Sequence, residues 1–208
     1  MRIIDSSAQW DEDVRDSIAA EVTQGELIVI PTDTVYGIGC RADDPHAVTR
    51  LLAAKGRGHH MPPPVLIADP SDMQRIGTNV TDVAITLAQN FWPGALTLIV
   101  QAQPELGWNL GQTHGTVALR MPDLPLMCDL LRVTGPLAVT SANLTGQEPA
   151  TTITRACEYF GEKVATYIDG GPSGLAIPST ILDVTEETFR PIREGAISLE
   201  QIMEVLQG

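Results

Sequence analysis

The sequence predicts an α/β fold, a twisted mixed (parallel and antiparallel) sheet with helices packed on it. Three observations predict it. Short apolar runs alternate with segments of helical period, which is the pattern of helices laid on a sheet. Several strand-like runs follow one another with no helix between them, so the sheet is not a clean βαβ repeat. The 18 glycines and 15 prolines are scattered as punctuation and not gathered into a linker. At roughly 150 residues per domain, 208 residues make a single domain, 1–208. Hydrophobic residues are 43% and charged residues 19% of the chain, and mean hydropathy is +0.05. That balance excludes a disordered chain and a coiled coil.

The elements follow in order. Asp11 to Gln24 carries Val14, Ile18, Ala19 and Val22 at helical spacing, and Gly25 stops it. Glu26 to Ile30 is a short apolar run ending at Pro31, which suits a buried strand. Pro45 to Lys55 is a helix with Pro in its first turn and Val48, Leu51 and Leu52 turned inward. Pro64 to Ala68 is a strand, Asp82 to Phe91 a helix, and Ala95 to Val100 and Thr116 to Met121 are strands. Leu124 to Val133 is helical, Leu137 to Thr140 a strand, and Thr154 to Phe160 a helix. Short strands near Ala165 to Ile168 and Thr180 to Val184 precede a last helix, Ser198 to Leu206, with Ser198 as its cap.

Charge narrows the functions. Thirteen basic against 26 acidic residues give a net charge of −13 and a pI near 4.5. Only Lys55 and Lys163 are lysines; the other 11 cations are arginines. Such a chain offers little for sequence-blind binding to nucleic acid or to a membrane surface, since both rest on clustered cations. A local basic pocket within it would suit a small anion. Cys40, Cys128 and Cys157 form no close-spaced motif, which excludes a disulfide framework and a zinc site. With no signal-peptide stretch at Met1–Asp5 and no run of 18 apolar residues, a cytoplasmic protein with reduced thiols is expected.

Four segments carry the chemistry. Pro31-Thr32-Asp33-Thr34-Val35-Tyr36-Gly37-Ile38-Gly39 follows a strand and joins hydroxyls to glycines that let backbone approach a ligand; an ordinary tight loop has the same look. Lys55-Gly56-Arg57 sets a point charge and a planar fork one glycine apart, as an anion site or a cation-decorated helix end would. His59 and His60 follow without a carboxylate or thiol at ligand spacing, so they are expected as solvent-exposed loop residues and no metal site is expected. Thr140-Ser141-Ala142-Asn143 lies directly after a strand, where α/β sheets gather ligands, and Ser141 and Asn143 point the same way from an extended backbone. Pro149-Ala150-Thr151-Thr152 then leads into a helix N-terminus. Arg120, Ser179-Thr180 and Arg193 are weak signals singly.

In this order the segments resemble the YrdC-like family, and within it the threonylcarbamoyladenylate synthases, from Glu26 to about Ile197. The resemblance rests on Pro31 to Gly37, on Lys55-Gly56-Arg57, on Ser141-Ala142-Asn143 with Gly146 and Thr151, and on Ser179-Thr180 with Arg193 to Ile197. It implies a single YrdC-like domain in its short form, without the second domain some synthases carry. It implies a nucleotidyltransferase joining ATP, L-threonine and bicarbonate into L-threonylcarbamoyladenylate, pyrophosphate and water, with Mg²⁺ entering with ATP. The product would feed the t6A modification of tRNA through a downstream tRNA threonylcarbamoyl transferase complex. The roles it implies are threonine binding by Thr34, Arg120, Ser141 and Ser179, and ATP binding by Arg57, Thr116, Asn143, Thr151 and Arg193. Lys55 and Arg57 would be the catalytic cations, both facing the pocket. Two positions depart from the family pattern: Met61-Pro62 replaces a common Asn-Pro, and Leu66 replaces a common His, with His59 or His60 as the nearby imidazoles. The competing readings are a double-stranded RNA-binding module, which the −13 charge disfavours, and a paralogue with other carbamoyl or nucleotidyl chemistry.

Overall fold

A computed structural model describes residues 1–174 and 176–207. In chain order the elements are β1 (Arg2–Asp5), α1 (Ser6–Gln9), α2 (Glu12–Thr23), β2 (Ile28–Ile30), β3 (Gly37–Arg41), α3 (Pro45–Lys55), β4 (Val65–Leu66), α4 (Asp72–Ile76) and α5 (Asp82–Phe91). They continue with β5 (Leu96–Gln101), β6 (Thr116–Arg120), α6 (Pro125–Thr134), β7 (Leu137–Ser141), α7 (Ile153–Phe160), β8 (Thr166–Asp169), β9 (Thr180–Asp183), β10 (Arg190–Arg193) and α8 (Leu199–Gln207). Short 3₁₀ turns lie at Pro104–Leu106 and Gly161–Lys163.

All ten strands form one sheet in the order β1-β8-β2-β3-β7-β4-β6-β5-β9-β10. It is mixed, as expected: β1·β8, β8·β2, β4·β6 and β5·β9 are parallel and the other pairs antiparallel. At its centre β4 is only two residues long. Pro62, Pro63 and Pro64 precede it and have no N–H to extend the ladder.

The helices begin and end where side chains satisfy their free backbone groups. Asp11 accepts from Val14 N in α2, and Asp44 accepts from His46 N and Ala47 N in α3. Pro45 opens α3, and Gly56, at φ +63°, closes it in the left-handed conformation. Ser198 and Gln201 exchange hydrogen bonds at the start of α8, which is a capping box.

One face of the sheet is covered by α3, α4, α5, α7 and α8 over a core that includes Val29, Leu51, Leu96, Leu98, Val117 and Leu119. On the other face α2 and α6 cover Ile28, Ile30, Leu137 and Ile168. Two helices do not reach across ten strands, so the far half of that face, over β6, β5 and β9, is left open as a concave surface.

Five elements depart from the sequence expectation, the first of them the single-turn α1 at Ser6–Gln9. β1 pairs with β8 at the sheet edge, 164 residues away (Arg2 opposite Thr166), and has too few residues to display a period. α4 is five residues long. β10 is exposed throughout, so no apolar alternation marks it. β3 is the instructive case: the segment expected as a glycine-rich ligand loop becomes a central strand at Gly37. A Cβ at Gly37 would come within 2.6 Å of Val139 Cγ1, and one at Gly39 within 2.7 Å of Val139 Cγ2. Both glycines make room for Val139 of the neighbouring strand β7, and Gly37 also lines the cavity described below.

Candidate active site

The concave half of the sheet holds a cavity of about 410 Å³. Its floor follows the two-residue period of the strands: Thr116, Ala118 and Arg120 from β6, Thr97 and Ile99 from β5, Val139 and Ser141 from β7. Ser179 and Ile181 extend the floor at β9, and Leu66 sits between Arg120 and Leu137 on β4. Arg57, Met61 to Pro64, Leu110 and Thr113 line the cavity from two segments that form the rim. These two rim segments touch: Gln112 N donates to His59 O at 2.8 Å, and a Cβ on Gly111 (φ +107°) would lie 2.5 Å from that same oxygen. The expectation that ligand groups gather beyond a carboxyl edge of strands is corrected. β4 and β6 run against β7 and β5, so the sheet has no common carboxyl edge, and the site lies on its face.

Three guanidiniums face this space. Arg120 is buried; it donates from Nε to Gly94 O (3.0 Å), from Nη1 to Thr34 Oγ1 (3.0 Å) and from Nη2 to Asp33 Oδ1 (2.6 Å). Burial holds its pKa below the ordinary arginine value, opposed by Asp33. Arg57 donates from Nη1 to Thr140 Oγ1 at 2.8 Å, while its buried Nε has no hydrogen-bond partner among the described residues. Burial first, then the charge of Arg193, lower its pKa. Arg193 stands on the exposed edge strand with its guanidinium turned back, donating twice to Ser179 O at 3.1 and 2.7 Å. Desolvation there, then Arg120, lower its pKa as well. Of these three, Arg120 alone has a carboxylate partner among the described residues; neither Arg57 nor Arg193 does. Two guanidiniums without a carboxylate partner, Arg57 lowered by the charge of Arg193 and Arg193 by that of Arg120, form a site that gains by taking in an anion.

Hydroxyls complete the cationic end. Thr34 Oγ1 lies 3.0 Å from Thr32 Oγ1, Ser179 Oγ lies 2.9 Å from Thr97 Oγ1, and Thr116 Oγ1 donates to Thr113 O at 2.8 Å. Toward Ile99, Ala118, Leu110, Ile181 and Met61 the lining turns apolar.

Of the expected site residues, the structure brings Thr34, Arg57, Thr116, Arg120, Ser141, Ser179 and Arg193 to the cavity. Lys55, Asn143 and Thr151 do not line it. Lys55 was expected to face the pocket, and that is corrected. It is 3% exposed, and its ammonium donates to Ser141 O, to Asn143 O (2.8 Å) and to Asn143 Oδ1 (3.4 Å). Burial, then Arg57, push its pKa down to about 7, while the three oxygens favour the ammonium form. Asn143 accepts from Ser141 Oγ (2.6 Å) and donates its amide to Leu144 O and Gln147 O, both at 2.9 Å, so it is spent on its own loop. Thr151 lies just before α7, where its carbonyl accepts from Ser173 N at 2.9 Å. His59 and His60 are exposed on the rim, and no group of acidic, His or Cys side chains able to hold a metal ion occurs among the described residues.

Three wall or support residues escape a reading by motif. Asp33 and Thr140 lie inside segments singled out for other members, and they hold Arg120 and Arg57. Thr97 is the one polar residue within Leu96 to Val100, and that interruption of an apolar run is the signal that finds it. Both departures from the family pattern, Met61 and Leu66, line the cavity.

The profile of the Sua5/YciO/YrdC family, described as "Telomere recombination", matches residues 20–195. The chain belongs to this family. A Mycobacterium tuberculosis protein, provisionally named a threonylcarbamoyl-AMP synthase, is 47% identical over 190 residues, covering 91% of this chain and 88% of that protein. The threonylcarbamoyl-AMP synthase of Bacillus subtilis is 37% identical over 210 residues, covering 95% of this chain and 61% of that protein. The crystal structure of Pyrococcus abyssi Sua5 complexed with L-threonine superposes with a TM-score of 0.94 at 32% identity. It is covered over 61% of its length by 99% of this chain, so this family member spans about three fifths of the Bacillus and Pyrococcus proteins.

Proposed function

We propose that this family member is a nucleotidyltransferase that makes L-threonylcarbamoyladenylate from ATP, L-threonine and bicarbonate, releasing pyrophosphate and water. The observation that carries the reading is the cavity with three guanidiniums and a single paired carboxylate, floored by hydroxyls, in a chain of net charge −13. Relatives named threonylcarbamoyl-AMP synthase, and one solved with L-threonine, support it.

The chemistry suits the side chains. The threonine amine attacks the carbon of bicarbonate, a C–N bond forms, and water leaves to give a carbamate. A carbamate oxygen then attacks the α-phosphorus, and the bond to the β-phosphate breaks with pyrophosphate as leaving group. Arg120, fixed by Asp33, Thr34 and Gly94 O, has N–H groups left for the threonine carboxylate. The Ser141 and Ser179 hydroxyls meet the rest of the amino acid. Arg57 and Arg193, the unpaired cations, take the phosphates, where charge grows in the transition state, and Thr116 meets the nucleotide. Neither step needs a side-chain nucleophile; the protein contributes placement and charge. Asn143 and Thr151 are assigned no direct nucleotide contact. The donor set of guanidiniums and hydroxyls does not fit a Mg²⁺ held by the protein; a magnesium ion on the triphosphate enters as part of the substrate. The product, a mixed anhydride, calls for a consumer that transfers the threonylcarbamoyl group to tRNA.

The test is pyrophosphate release from ATP with threonine or bicarbonate omitted in turn. Release that needs both, with threonylcarbamoyl-AMP in the quenched mixture, is expected. Release indifferent to threonine overturns the reading in favour of another acceptor.

A further inference from the structure

Residues 55–57 and 140–145 are stitched together across the end of α3. The Lys55 ammonium reaches Ser141 O and both oxygens of Asn143. The Lys55 carbonyl accepts from Thr145 N (3.0 Å) and from Thr145 Oγ1 (3.1 Å). Two residues later Arg57 donates to Thr140 Oγ1. Of these residues only Arg57, Thr140 and Ser141 line the cavity; Lys55 lies behind the wall with its protons turned away from the ligand space.

We propose that Lys55 is a positioning residue, whose ammonium fixes the turn after β7 so that the Ser141 hydroxyl keeps its place in the amino-acid half of the site. The inference rests on the proposed synthase reading for which half is affected, but not for the clamp itself. A cation serving the triphosphate would present at least one N–H to the cavity. This one instead takes three protein oxygens, two of them backbone carbonyls of the residues flanking Ala142. Without it, Asn143 O loses its donor and Ser141 O keeps only the Asn143 N–H (2.9 Å), and a buried carbonyl with no donor is the expensive state for a polar group. Ser141 Oγ, which donates to Asn143 Oδ1, moves with them.

Two readouts on the full-length protein test this. Amide hydrogen exchange without ligand reads the clamp alone: Lys55→Met is expected to speed exchange at residues 143–147 by about tenfold or more, from the loss of the clamp. Pyrophosphate-release kinetics then read its target. Lys55→Met is expected to raise the threonine KM as Ser141→Ala does, to leave the ATP KM within about twofold, and to add little to Ser141→Ala in the double variant. Exchange like wild type overturns the clamp. A rise confined to the ATP KM, additive with Ser141→Ala, makes Lys55 a phosphate ligand instead. If Lys55→Met does not fold, Thr145→Val removes one strand of the same stitch; it is expected to speed the same amides, and unchanged exchange there overturns the proposal. Absence of pyrophosphate release by the wild type removes the synthase reading while the exchange result still decides the clamp.

Discussion

Arg57 and Arg120 are both cavity arginines, yet their energetics differ. Arg120 has a carboxylate at 2.6 Å and two further acceptors, whereas Arg57 has one hydroxyl and an orphaned Nε. Replacing an unpaired, half-buried cation with an apolar side chain of similar length removes a desolvation cost and the repulsion from Arg193. Arg57→Met is therefore expected to raise stability by up to about 1 kcal/mol, or ~2–4 °C in Tm for a chain of this size, while turnover collapses. A thermal scan beside the pyrophosphate assay checks the pair of effects. A lower Tm would mean that the Arg57–Thr140 bond outweighs the burial cost.

At the scale of the element, β3 is where physical need and sequence appearance part. Gly37 and Gly39 give up their side-chain space to the methyls of Val139. Gly39→Ala overpacks this junction and is expected to cost about 1–3 kcal/mol, measured as a lower urea midpoint at unchanged slope. Val139→Ala in the same chain is expected to return most of it; a double variant as weak as the single one would place the strain elsewhere. The same pair explains what could be seen in the sequence. Asp44-Pro45 with Gly56 announces both ends of α3, because caps are local chemistry. Gly37 and Gly39 look like a loop, because their reason sits on a strand about 100 residues on. In the site, Thr34, Ser141, Ser179 and Arg193 were legible as members of an ordered set. That Lys55 and Asn143 turn inward to each other was not, since spacing fixes that two segments meet and not which atoms face the ligand. Asp33 was hidden for the converse reason: its partner Arg120 is 87 residues away.

For the whole molecule, the opposition of a −13 chain and a cationic cavity sets the response to salt. Self-repulsion among the acidic residues is long-ranged and screened by added ions, whereas most ion pairs here, such as Arg75–Asp72 and Arg155–Glu158, are exposed and contribute little. Raising sodium chloride from about 10 to 300 mM is expected to raise Tm at neutral pH by screening alone. A fall in Tm would show that the surface pairs outweigh the net repulsion. No helix among the described residues is long and apolar enough to cross a membrane.

The two-residue strand β4 has a mechanical meaning. It is the suture between two half-sheets, β1-β8-β2-β3-β7 on one side and β6-β5-β9-β10 on the other. Arg57, Thr34 and Ser141 belong to the first half, while Arg120, Ser179 and Arg193 belong to the second, so the cavity straddles the seam. A ligand held from both sides acts as a cross-brace over this two-residue joint, and the halves are tied most firmly while the reactants are aboard.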